Sequence, residues 1–177
     1  MPKRLKKLSE EVLHENPWWK YKHDRYILPN GKEGDYYYAE TPGVCMIIPV
    51  LEDGRVVLTL QHRYLEDKQS IEFPAGGMKG EKDTALAAQQ ELLEETGYNI
   101  ESMSKLAQFQ PASGFVKDTT HVFLAYVTDQ QQQQLDDSED IELLYRKPAE
   151  IDEMIHSGDV WCGQTIAAWF LARNHLL

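Results

Sequence analysis

Three glutamates, Glu91, Glu94 and Glu95, stand within five positions of one another just ahead of Gly97, in the stretch "ELLEETGY". On a helix turning by about 100° per residue, all three share roughly a third of the circumference. No lysine or arginine follows Lys82 within four positions on that helix, so nothing local offsets their repulsion. Upstream lies Pro74-Ala75-Gly76-Gly77, where the chain leaves a strand and glycine lets the backbone pass close to a ligand. Crowded carboxylates beside such a turn make chemical sense as a site for a hard divalent cation. Mg²⁺ takes its oxygen ligands from one or two carboxylates plus the phosphates of a substrate. The competing explanation is a solvated acidic helix face.

The elements that position these residues follow from patterning. Asp83 or Thr84 is expected to cap the N-terminus of the helix, and Gly97 to end it in the left-handed conformation. Ala85, Leu86, Leu92 and Leu93 are expected on a core face opposite the acids, with Ala87 and Ala88 flanking the acidic stripe. Strands are expected at "GVCMIIPV" and "RVVLTLQHRYL", joined by "LEDG", then at "SIEFPAGG" ending at Pro74, "HVFLAYVT" (121–128) and "IELLYR" (141–146). "PAEIDEMIHSG" and "GQTIAAWFLARNHLL" read as helices. The five glutamines of "DQQQQQLDDSED" read as a solvated helical end or loop. Residues 1–42 differ in character from 43–177. There, "PNGKEG" between two aromatic runs signals an antiparallel hairpin, because Asn-Gly supplies a positive φ. The fold class expected is α/β of the α+β type, with a mixed sheet preceded by a small N-terminal antiparallel β segment.

Bulk properties narrow the function. The 177 residues carry a net charge of −11, which argues against nucleic acid or an anionic membrane as partner. The same charge would repel a phosphorylated substrate unless a bound cation reversed the local field. No run is apolar enough to span a bilayer, and the basic start has no apolar segment after it, so a cytoplasmic protein is expected. Two cysteines, Cys45 and Cys162, suggest neither a disulfide framework nor a zinc site.

The segment 76–98 resembles the Nudix box. Gly76 takes the first glycine position, and Glu91, Leu92, Glu94, Glu95, Gly97 and Tyr98 fall in register. Two positions depart from the pattern: the upstream glutamate is Glu81, one place early with Lys82 in its slot, and the box arginine is Gln90. The resemblance implies a Nudix α/β/α sandwich. It extends through "ENPWWK", "PNGKEGDYYY", "QHRY", "EFPAGG", "FQPASGF" and "GDVWCGQTIAAWFLA" and is similar to the ADP-ribose and nucleoside-diphosphate-sugar pyrophosphatases. That subgroup implies cleavage of the diphosphate to a nucleoside monophosphate and a sugar phosphate, in homodimers that exchange the N-terminal segment.

Carried over position by position, the resemblance implies two or three Mg²⁺ ions, with Mn²⁺ as a substitute, near Glu91, Glu95 and the Ala75 carbonyl. Glu94 is either a further ligand or a partner that holds the others. Arg63 would contact phosphate or the distal sugar, and Glu72 would lie near the substrate. The general base would come from "LDDSEDIE", with Glu139 first, as ligand or base, and Asp137 and Asp140 behind it. Gly114 and Asp118 stand where relatives contact the proximal phosphate or sugar. Trp18 and Trp19 would stack on a nucleobase or pack in a dimer core. Other outcomes are a Nudix enzyme for capped RNA or a nucleoside triphosphate, and a non-catalytic Nudix-fold binding module.

Overall fold

The computed structural model describes residues 1–78 and 83–176. The chain runs through β1 (Lys6–Glu15), β2 (Lys20–Ile27), β3 (Glu33–Glu40), β4 (Val44–Val50), β5 (Val56–Arg63), β6 (Lys68–Glu72) and β7 (Ala75–Gly77) before helix α1 (Thr84–Thr96). It continues with β8 (Tyr98–Phe109), β9 (Val116–Lys117), β10 (Thr120–Gln130) and β11 (Glu142–Arg146). Helices α2 (Pro148–Ser157) and α3 (Gly163–Ala172) close the chain, with a short 3₁₀ turn after them.

Two sheets form. One has the order β1-β2-β3-β9; the other follows β11-β5-β4-β10-β8, with β6 added to β5 and β7 to β4. The larger sheet is mixed, since β4 and β10 run parallel while β8, β5 and β11 pair antiparallel to their neighbours. Alternation along β4 sorts the core into two layers. Cys45 and Ile47 pack with Ala87, Ala88 and Leu92 of α1. Met46 and Ile48 pack with Ile151 of α2 and with Ala168, Trp169 and Ala172 of α3. The architecture is the expected α+β sandwich, helices on both faces of a mixed sheet.

The structure departs from the sequence reading at three points. The strand expected to end at Pro74 stops at Glu72, and the chain resumes as β7 on the edge of β4. β1 and the 12-residue β8 carry no strong strand signal in the sequence, because β1 is solvent-exposed along its whole length and β8 has interruptions in its register against β10. On α1, Ala85 and Leu86 are exposed while Ala87 and Ala88 are buried, so the inward face is rotated toward the small residues. Of the two outcomes expected for the glutamine run, the loop is found: Gln130 ends β10 and 131–136 follow as irregular chain.

The ends of α1 behave as expected. The Asp83 carboxylate accepts hydrogen bonds from the Ala85 and Leu86 N–H groups, and Gly97 takes φ 74°. A Cβ added at Gly97 would lie 2.1 Å from the carbonyl oxygen of Gln131. Gly97→Ala is therefore expected to cost about 1–3 kcal/mol from left-handed strain alone, and more from the backbone clash. Urea unfolding of both proteins checks this, and an unchanged midpoint would contradict it.

Candidate active site

Strand β7 and helix α1 build the site against each other. Gly76 sits on β7 opposite Cys45, and a Cβ placed on it would lie 1.9 Å from the carboxyl carbon of Glu91. The Glu91 carboxylate thus occupies the volume that any other residue at position 76 would fill. One helical turn on, Glu95 is only 4% exposed and accepts a hydrogen bond of 3.2 Å from the Ala75 N–H. Glu94, between them in sequence, points to solvent. The two deep carboxylates therefore line up along one face of the helix, at spacing i, i+4.

The Glu95 carboxyl is pushed up to about 8, by burial first and then, in the same direction, by the negative charges of Glu91 and Glu139. The Ala75 N–H and the Arg63 guanidinium oppose that shift without cancelling it. The Glu139 loop begins at the end of the helix, where the Gln134 N–H donates to the Glu94 carbonyl at 2.9 Å. Its turn is closed by Glu139 N–H donating to the Asp136 carbonyl at 2.9 Å, and its carboxylate accepts from the Asp136 N–H at 3.0 Å. Asp137 lies exposed in the same turn.

Arg63, at the end of β5, donates to Glu72 through Nε at 2.7 Å and Nη2 at 2.6 Å, a bidentate pair. Burial raises the Glu72 carboxyl, but the guanidinium outweighs it and holds the group below its ordinary value. Glu72 is buried and Arg63 faces a cleft of about 550 Å³, lined also by Ala75, Gly76, Gly77, Trp161, Cys162 and Gln164. A second cavity of about 710 Å³, almost wholly apolar, is lined by Trp18, Trp19, Tyr21, Phe115, Val44 and Gly77. The two cavities meet at Val44 and Gly77. Trp161 is fixed by its indole N–H on the Gln69 carbonyl and by Lys68 over its ring, and Gln164 donates to Thr120 Oγ1.

The structure therefore brings Glu91, Glu95, Glu139, Arg63, Glu72, Ala75 and Gly76 to one place and Trp18 and Trp19 to the adjoining cavity. Asp118 and Gly114 are not in that group. The Asp118 carboxylate is held by Thr41 Oγ1 and the Thr119 N–H, both at 2.7 Å, and the Gly114 carbonyl accepts from Tyr36 Oη at 2.6 Å. Sequence reasoning gave no role to Trp161, Cys162 or Gln164; their one signal was the position of "WCGQ" at the start of a helix. Glu81 and Lys82 lie outside the described residues.

The carboxylates of Glu91 and Glu95 offer hard oxygens, which suits Mg²⁺, although no three His, Cys, Asp or Glu side chains among the described residues converge on a point by themselves. A cation there would complete its shell with backbone carbonyl, water and substrate phosphate.

The NUDIX domain model matches residues 39–162, and the model of the nucleoside diphosphate sugar hydrolase N-terminal domain matches residues 5–39. The ADP-ribose pyrophosphatase of Bacillus subtilis (strain 168) is 28% identical over 143 residues, 80% of this chain and 77% of that one. The GDP-mannose pyrophosphatase of Escherichia coli O1:K1 / APEC is 30% identical over 150 residues, 79% of this chain and 78% of that one. The crystal structure of an ADP compounds hydrolase superposes with a TM-score of 0.84 over 98% of this chain and 95% of that one, at 18% identity. The chain belongs to the Nudix family and is an enzyme, a Nudix pyrophosphatase.

Two predictions follow from the carboxylates. Between 4.5 and about 8 the unfolded chain has released a proton that folded Glu95 keeps, so the metal-free protein loses stability as pH rises through that window. Urea midpoints in chelator at pH 5 and pH 8 should fall for the wild type and fall less for Glu95→Gln; parallel changes would sink the assignment. Gly76→Ala should displace the Glu91 carboxylate rather than the backbone. Its melting temperature should stay near wild type while turnover drops by about 10²-fold or more, and unimpaired turnover would show that Glu91 does not act from this position.

Proposed function

We propose that the protein hydrolyses the diphosphate of a nucleoside diphosphate sugar, of ADP-ribose or GDP-mannose type, giving a nucleoside monophosphate and a sugar phosphate in a Mg²⁺-dependent reaction. The observation that carries this reading is the pair Glu91 and Glu95 under the Gly76–Gly77 backbone, where an apolar aromatic cavity adjoins a cleft headed by Arg63. A nucleotide sugar has that order of chemistry: a flat base, a charged diphosphate, a polar sugar.

Each residue has a task. Glu91, Glu95 and the Ala75 carbonyl, which shares a strand edge with the N–H that meets Glu95, would hold the cation. Glu94 and Glu139 stand at the rim to complete the set or to order water. The cation supplies Lewis-acid polarisation of a phosphoryl oxygen and a more acidic bound water. Glu139, with Asp137 behind it, takes the proton of the attacking water as its oxygen bonds to phosphorus and the anhydride P–O bond breaks. Arg63, held rigid by Glu72, pairs with the diphosphate. Trp18 or Trp19 stacks on the base, and Trp161 and Gln164 face the sugar.

The N-terminal segment 1–42 is read as a dimerising, exchanged arm on the domain 43–177. Supporting this, β1 is an edge strand on which Leu8, Val12 and Leu13 are all exposed, and Trp18 is 72% exposed. No helix among the described residues is long and apolar enough to cross a membrane, and with the net charge of −11 we place the enzyme in the cytoplasm, acting on a small molecule rather than nucleic acid.

Chromatography of the products from ADP-ribose, GDP-mannose, other nucleotide sugars and a nucleoside triphosphate tests the reading. A nucleoside monophosphate should be released from a nucleotide sugar with Mg²⁺, be absent in chelator, and be lost in Glu94→Gln. Turnover of the triphosphate alone would refute the substrate class.

A further inference from the structure

The run Gln130–Gln134 looks featureless in sequence, yet in the structure it covers the C-terminal end of the carboxylate helix. A helix leaves its last four carbonyls without intrahelical partners. Here four consecutive carbonyls, Glu94 to Gly97, are all satisfied by this one run. Gln134 N–H donates to the Glu94 carbonyl at 2.9 Å and Gln131 N–H to the Gly97 carbonyl at 2.8 Å. The Gln133 side-chain amide donates to the Glu95 carbonyl at 2.6 Å, and that of Gln130 to the Thr96 carbonyl at 3.0 Å. Two backbone and two side-chain donors thus replace water at the end of the helix that carries the site.

Gln133 does more than cap. Its Nε2 also reaches the Ile141 carbonyl at 3.3 Å, on the far side of the loop that contains Glu139. A primary amide has two N–H donors and can bond two carbonyls at once, which neither an ionised glutamate nor a methionine can do. One half-buried side chain therefore joins the backbone of Glu95 to the foot of the 134–140 loop. The close approach of Gln131 to Gly97 holds the same junction from the other side.

We propose that the glutamine run is a clamp that fixes the Glu139 loop against the carboxylate helix, with Gln133 as the positioning residue. The inference rests on the reading of Glu139 as the group that takes the proton from water. Gln133 touches no substrate in this account; it acts by setting where Glu139 stands relative to Glu91 and Glu95. Gln132, exposed and without a side-chain bond among the described residues, is the natural control within the run.

The test is a double-mutant cycle between Gln133→Met and Glu139→Gln, with kcat, KM and melting temperature measured for each protein on a nucleotide sugar that the wild type turns over. Gln133→Met, nearly isosteric but without donors, should lower kcat by about tenfold and leave KM within about twofold. In the Glu139→Gln background the same change should lower kcat by less than about twofold, because the positioned group is already gone. Gln132→Met should match the wild type. Equal losses in both backgrounds, or a lower melting temperature with kcat intact, would overturn the clamp. Should Gln133→Met not fold, Gln133→Asn, too short to span both carbonyls, must show the same non-additivity. A wild-type rate in Glu139→Gln would instead refute the role of Glu139, and the clamp with it.

Discussion

The structure turns on a carboxylate that is expensive to keep where it is. Glu95 is buried, receives one backbone N–H from Ala75, and has the charges of Glu91 and Glu139 close by. Burial and like charge both favour its protonated form. Such a group costs the metal-free fold stability as pH rises above 4.5. A divalent cation bound at the helix carboxylates would displace the proton and offset the repulsion between Glu91 and Glu95. A chain with a net charge of −11 needs that reversal before a diphosphate can approach.

Much of the surrounding fold serves to hold this arrangement. Gly76 gives Glu91 room against β7, and Ala87, Ala88 and Leu92 seat the adjoining side of α1 on β4. The alanines are small, so helix and sheet approach closely and the carboxylates reach the strand edge. Glu72 is spent on Arg63: the buried carboxylate fixes the guanidinium and keeps it charged and oriented toward the cleft. Gly97 and the glutamine run hold the other end of the helix. Positions that look independent in sequence are thus parts of one rigid frame, as electrostatic preorganisation requires.

How much of this was legible in the sequence depended on the kind of signal. The spacing of Glu91, Glu94, Glu95 and Gly97 marks the helix and its end, and Asn30-Gly31 marks the β2–β3 turn, where Gly31 does take a positive φ. Those are local rules of backbone and side-chain chemistry. β1 escapes because it is exposed throughout, with no alternation to read. β8 escapes because shifts in its register with β10 interrupt the period of two. The rotation of α1 toward Ala87 and Ala88 is a tertiary choice, since the hydrophobicity of Leu86 points the other way. The glutamines were illegible for a different reason: each bond they make is to a backbone carbonyl, and backbone partners leave no trace in residue type.

The central claim is that the cation site is completed only when Glu91 lies over Gly76 and a diphosphate supplies the remaining oxygens. Titration of Mn²⁺, followed by its electron paramagnetic resonance signal, measures this directly, with and without a non-hydrolysable nucleotide-sugar analogue. Binding to the protein alone should be weak, binding with the analogue present much tighter, and that gain should be lost in Gly76→Ala. Binding that is equally tight without the analogue, or unchanged in Gly76→Ala, would contradict the claim.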